Sequence, residues 1–140
     1  MLILALVGLA VSLYLSYSKL LGVPVSCSLL SGCQAVEESK YSEIFGIPVA
    51  FLGVLFYMFL IISTFIRTSE KYQTILTKLI FFATLIGFIY SIYLTYLELF
   101  VIFAICIYCV TSAVTSTGLF FVSLYENMVL SRNQNIKKYE

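Results

Sequence analysis

A chain of 140 residues that is 61% hydrophobic and only 11% charged departs from a soluble domain, where roughly half the residues are apolar and about a quarter charged. Its eight Lys/Arg and seven Asp/Glu leave a net charge of +1, with no basic surface for nucleic acid and with apolar runs too long for a single core. No histidine occurs, which excludes serine and cysteine triads, histidine bases and mixed Cys/His zinc patterns.

The charged residues divide the chain into apolar stretches that can be counted. A hydrocarbon core of ~30 Å needs about 20 helical residues, and four stretches meet that length. The spans are expected at about 1–21, 46–66, 75–97 and 102–126, with Lys19 snorkelling out of the first. Barrel strands alternate polar and apolar residues, whereas these runs are apolar all round. Residues 1–21 lack the basic start and small-residue cleavage site of a signal peptide. The fold expected is therefore an all-α membrane protein, a four-transmembrane-helix bundle over residues 1–126.

The connections differ in character. Residues 22–45 form the one sizeable extramembrane loop, with Cys27, Cys33 and three glutamates. A short polar link from Arg67 joins spans 2 and 3, and a tight hairpin from Glu98 to about Ile102 joins spans 3 and 4. Residues 127–140 read as a polar cytoplasmic tail, disordered at its end and too short for a second domain. With four spans, Arg67, Lys71, Lys78, Arg132, Lys137 and Lys138 share one side, against Lys19 and Lys40 on the other. Positive charge marks the cytoplasmic face, so the cysteine-bearing loop is expected outside the cytoplasm, where disulfides persist.

Cys106 and Cys109 form Cys-Ile-Tyr-Cys near the outer end of span 4, on the same side as Cys27 and Cys33. Helical residues three apart share a face, with Cβ atoms about 5–6 Å apart, so this pair opens and closes as a disulfide with modest adjustment. A helix start favours a thiolate while burial opposes it; Cys106, nearer the entrance, feels the first more and Cys109 the second. Packing cysteines or one structural disulfide are the plainer readings. Metal is not expected of such a knuckle in the bilayer without compensating charge.

In order along the chain stand Cys27-x5-Cys33, Ser39, Phe45-Gly-Ile-Pro48 with Gly53, and Cys106-x-x-Cys109. Together these resemble the vitamin K epoxide reductase family of membrane thiol oxidoreductases, from span 1 through span 4, and more closely its prokaryotic single-domain members. The resemblance implies an electron relay. A separate thioredoxin-like protein is oxidised by the loop pair, the loop pair is reoxidised by the span 4 pair, and a quinone of menaquinone or ubiquinone type takes the electrons. By position, Cys27 meets the partner, Cys33 exchanges with Cys106, and Cys109 faces the quinone. Ser39 matches the family's loop serine or threonine, read as a support of the redox centre; on local grounds it also reads as a turn or cap hydroxyl.

Animal members that reduce vitamin K epoxide carry an asparagine and a tyrosine where this chain has Val49 and Ala113, so the resemblance implies disulfide formation rather than epoxide reduction. Depth counting from a hairpin near Phe100 places Tyr90, Ser91 and Tyr93 level with Cys109. Cys109 and Ala113 by the resemblance, and Tyr90 by depth, are the positions expected at the quinone, with Tyr93 and Tyr96 as alternatives for the interface belt. A DsbB-type quinone oxidase also uses two cysteine pairs in four spans, but with its Cys-x-x-Cys early in the second span, the reverse of the order here. A non-enzymatic membrane protein with one structural disulfide is the remaining alternative.

Overall fold

The computed structural model describes residues 1–24, 32–67 and 72–139. Helix α1, Leu2–Leu21, runs through the first apolar stretch and stops at Gly22. That residue takes the left-handed conformation (φ 62°), returning its N–H to the Ser18 carbonyl, and Pro24 follows two residues later. The described part of the loop opens with a short helix α2, Gly32–Glu37, and a 3₁₀ turn, Lys40–Ser42. Strands β1, Glu43–Ile44, and β2, Ile47–Pro48, then pair antiparallel with Glu43 opposite Pro48. Phe45 and Gly46 form their two-residue turn, both at positive φ (53° and 78°), as a tight hairpin with right-handed strand twist demands.

Pro48 occupies the N-cap of α3, Val49–Ile66. Span 2 therefore starts three residues later than the apolar run alone implies, because residues 43–48 are consumed by the hairpin. Helix α4, Gln73–Leu97, continues into a single π turn, Glu98–Ile102, which Phe103 ends in the left-handed conformation (φ 53°). Helix α5, Ile107–Tyr139, completes the chain. Its start at Ile107 corrects the expected 102, since the reversal uses the π turn and residues 103–106. Its end corrects the expected disorder: the polar segment from Asn127 stays helical to Tyr139, and Gln134 donates to Thr74 on α4 at 2.8 Å. At 1.5 Å per residue α5 is ~50 Å long, well beyond a hydrocarbon core.

Four helices are long and apolar enough to cross a membrane, and they form one bundle. Helix α1 packs on α3 and α5, while α4 packs on α5 and α3. The core is small: Ala5, Tyr57, Leu60, Ile80 and Leu119. Large apolar side chains such as Ile3, Phe82, Ile86 and Phe121 point outward instead, as a lipid solvent requires. Lipid offers no hydrophobic drive between helices, so small residues and polar bonds do the joining. A Cβ on Gly8 of α1 would fall inside the Tyr57 ring of α3. Thr84 and Ser123 share a buried hydrogen bond of 2.7 Å between α4 and α5, and Arg67 pairs with Glu126 between α3 and α5. Hydroxyls of Thr64, Thr77 and Thr117 donate to the carbonyl one turn back, so none is left unpaired in the apolar layer.

Candidate redox site

The outer end of the bundle gathers the cysteines. Cys33 on α2 and Cys106, immediately before α5, are each 2% exposed and pack together, with Leu15, Val36, Tyr108 and Cys109 around them. Cys33 is disulfide-bonded, whereas Cys106 and Cys109 are free thiols. Cys27 lies outside the described residues. The close approach depends on Gly32: a Cβ there would stand 2.6 Å from the Ile105 carbonyl oxygen and 2.7 Å from its nitrogen. Only a residue without a side chain lets the loop helix settle against the backbone leading into Cys106.

Two further contacts hold the loop over the bundle. Lys19, at the end of α1, reaches the Glu43 carboxylate at 3.4 Å and donates to Ser42 Oγ at 3.2 Å. The lysine assigned by sequence to snorkelling is thus a tether. Ser39 stands at the N-cap of the 3₁₀ turn but makes no capping bond with its side chain. Its hydroxyl donates back to the Val36 carbonyl at 2.7 Å, joining α2 to the turn that follows.

Cys106 stands at the entrance of α5, its carbonyl accepting the Val110 N–H at 3.0 Å. The Cys109 thiol donates to the Cys106 sulfur and, against the opposing effect of burial, brings Cys106 from an ordinary 9.0 down to about 7; the Cys109 and Tyr108 backbone N–H groups add to it. This is the direction expected of a thiol at a helix start.

Glu98 was read from the sequence only as the charge that separates two spans. In the fold it is 5% exposed and sits at the base of the reversal. Its carbonyl accepts the N–H groups of Phe103 and Ala104. Its carboxylate accepts the Cys106 N–H at 3.4 Å and lies beside the Cys109 thiol. The signal was available: an acid inside more than forty otherwise uncharged residues, 79–125, is expensive in a membrane and is retained for a reason.

Beneath the thiols opens a cavity of about 410 Å³, mainly apolar and bounded by all four long helices and the loop. Cys33, Ser39, Tyr90, Cys106, Cys109 and Ala113 all line it, so the described site residues of the sequence reading converge on one space. Tyr90 reaches it from α4, while Tyr93 and Tyr96 are exposed. Cys109 lies in the first turn of α5, not nine positions down a helix, because α5 starts at Ile107 rather than near Phe100. Tyr57 also lines the cavity, its hydroxyl within 3.1 Å of Ser112 Oγ and 3.2 Å of Thr115 Oγ1. The size falls within the 300–1,000 Å³ of small-molecule sites, and the apolar walls fit a planar lipid-soluble ring.

A family model for the vitamin K epoxide reductase family matches residues 1–124. The chain belongs to the vitamin K epoxide reductase family. None of the curated proteins compared with the chain matches it. Membership implies a multi-pass membrane thiol/quinone oxidoreductase with a quinone as substrate, and the cavity beside two free thiols is where that chemistry has room.

Proposed function

We propose that this protein makes disulfides by relaying electrons from a separate thioredoxin-like partner to a quinone, in the manner of prokaryotic single-domain members of the family. Cys27 accepts the partner's electrons, Cys33 exchanges with Cys106, and Cys109 faces the quinone, with Tyr90 and Ala113 on the cavity wall. In balance, the partner's dithiol becomes a disulfide and the quinone becomes a quinol. Each intermediate transfer is a thiolate attack on a disulfide sulfur. Ser39 supports the loop and takes no part in bond making. The loop lies outside the cytoplasm, and residues 127–139 extend α5 on the cytoplasmic side.

The observation that carries this reading is the burial of Cys33 against Cys106, from opposite ends of the sequence, with Cys109 opening onto the cavity. The low-pKa thiol of the pair is Cys106, the better leaving group when the Cys33–Cys106 mixed disulfide is resolved by Cys27. Purified protein, a reduced thioredoxin-like substrate and a short-chain quinone test the relay, with acid quenching to count thiols. Quinone-dependent loss of substrate thiols is expected. Cys33→Ser should accumulate a mixed disulfide between Cys27 and the partner, and Cys109→Ser one between Cys33 and Cys106, because each loses its resolving thiol. Absence of any quinone-dependent change in thiol count would refute the relay.

A further inference from the structure

Oxidising a dithiol with a quinone moves two protons as well as two electrons, and the cavity offers few groups to carry them. Its titratable side chains are Cys106 and Cys109, Glu98 from the π turn, Tyr90 from α4, Tyr57 from α3, and Lys19 and Tyr41 at the outer rim. Tyr57 is engaged with Ser112 and Thr115. Lys19 is directed to Glu43 and Ser42. Tyr90 contacts Tyr93, with ring centroids 6.1 Å apart. Beyond the thiol pair itself, Glu98 is the titratable group of the cavity that interacts with the Cys109 thiol, the one assigned to the quinone.

Three independent features mark the carboxylate. It is buried in a span, where an acid is kept only for use or for pairing. The ion pairs among the described residues are Lys19–Glu43 and Arg67–Glu126, and neither includes it. It stands at the start of a π turn, a distortion frequent at functional sites, which points its Oε2 to the Cys106 N–H while the carboxylate touches both Cys109 and the cavity.

We propose that Glu98 is a catalytic proton carrier of the quinone half-reaction, taking the proton of the Cys109 thiol and delivering it to a quinone oxygen. The assignment rests on the relay proposed above. The step balances as follows. Cys106 enters as a thiolate, its proton already in the outer solvent. Cys109 loses its S–H proton to the Glu98 carboxylate, and the two sulfurs close the S–S bond as two electrons pass to the quinone. Glu98 hands its proton to one quinone oxygen and returns to the carboxylate, while the other oxygen takes the solvent proton. One dithiol and one quinone thus yield one disulfide and one quinol.

The full chain in nanodiscs, with dithiothreitol as donor and a short-chain quinone as acceptor, tests the assignment. Glu98→Gln keeps the volume and the acceptor for the Cys106 N–H but holds no exchangeable carboxyl proton. Its kcat should fall roughly 100-fold at neutral pH, within the range of general acid–base contributions, with the KM for quinone little changed and the deficit shrinking as pH rises. Glu98→Asp should regain at least about tenfold over the glutamine variant. The wild type should show a solvent deuterium isotope effect on quinol formation, a readout that needs no variant to fold. Wild-type turnover by Glu98→Gln, an aspartate variant as slow as the glutamine one, or an isotope effect near unity would each overturn the assignment while leaving the relay standing. A wild-type chain that reduces no quinone would instead refute the relay, and the assignment with it.

Discussion

Replacing Gly32 with alanine isolates the contact on which exchange between the two cysteine pairs depends. An added Cβ would lie 2.6 Å from the Ile105 oxygen, 2.7 Å from its nitrogen and 3.1 Å from the Ala104 carbonyl carbon. All three are backbone atoms of the segment leading into Cys106, so no flexible side chain swings away to make room. Ordinary contact begins near 3.4 Å, and α2 must therefore retreat by roughly 0.8 Å to clear the nearest atom, with Cys33 moving next to the residue displaced. Overpacking of this kind costs about 1–3 kcal/mol, which a surface loop absorbs by shifting. Thiol–disulfide exchange is less tolerant, since a misplacement near 1 Å costs on the order of 100-fold when reacting atoms must meet in line. Gly32→Ala should slow Cys33–Cys106 exchange by roughly 10- to 100-fold. Quinone reduction by the directly reduced Cys106–Cys109 pair should remain at the wild-type rate. Rapid acid quench with mass-resolved thiol labelling reads both half-reactions. Wild-type exchange in this variant would refute the argument that Gly32 sets the approach of the two pairs.

The lowered pKa of Cys106 has a definite sign: with the thiolate as nucleophile, alkylation of the reduced protein at Cys106 should rise with pH through a midpoint of about 7 and level off above it. Cys109→Ala removes the leading cause of the lowering, and the iodoacetamide midpoint of Cys106 should climb toward the ordinary 9.0. Lys19→Met removes the 3.4 Å pair with Glu43; being partly exposed, the pair contributes less than about 1 kcal/mol, so thermal unfolding should change little while inter-pair exchange slows and loses some salt dependence. Phe45 is 100% exposed at the hairpin tip, so a Phe45→Cys variant lacking the native cysteines should label with an impermeant thiol reagent in intact cells, while Ser131→Cys should not. The opposite pattern would invert the proposed orientation.

The helices were legible because composition and charge act at long range in a membrane. A run of twenty apolar residues has few alternatives to a span, and Lys/Arg/Glu mark the breaks. Boundaries failed where local geometry overrode hydropathy. Phe45 and Phe103 are apolar and read as span material, yet both take positive φ and turn the chain. The polar residues after Glu126 read as a tail, because the pattern contains no sign of the Gln134–Thr74 bond that steadies the helix. At the site, the cysteine spacing survives without coordinates. The identities that position it do not: Gly32 read as a loop flank, Lys19 as a snorkel and Glu98 as a separator. Each acts through a partner distant in the chain or a backbone reversal, and hydropathy encodes neither.

The placement of the two free thiols reconciles opposite requirements. A thiol that exchanges with a loop cysteine must meet that loop and be partly ionised, while one that serves a lipid-soluble acceptor must lie in an apolar space. A Cys-x-x-Cys wholly within a transmembrane helix would bury both; one wholly in a loop would expose both. Here the motif straddles the entrance of α5. Cys106 precedes the first helical residue, takes backbone N–H groups from the new helix and meets Cys33, while Cys109 is already in the first turn and opens onto the cavity. The π turn and the left-handed Phe103, bound to the Glu98 carbonyl, postpone the helix until Ile107. The backbone of Glu98 thus sets where the helix starts, and through that which thiol meets the loop cysteine and which opens onto the cavity.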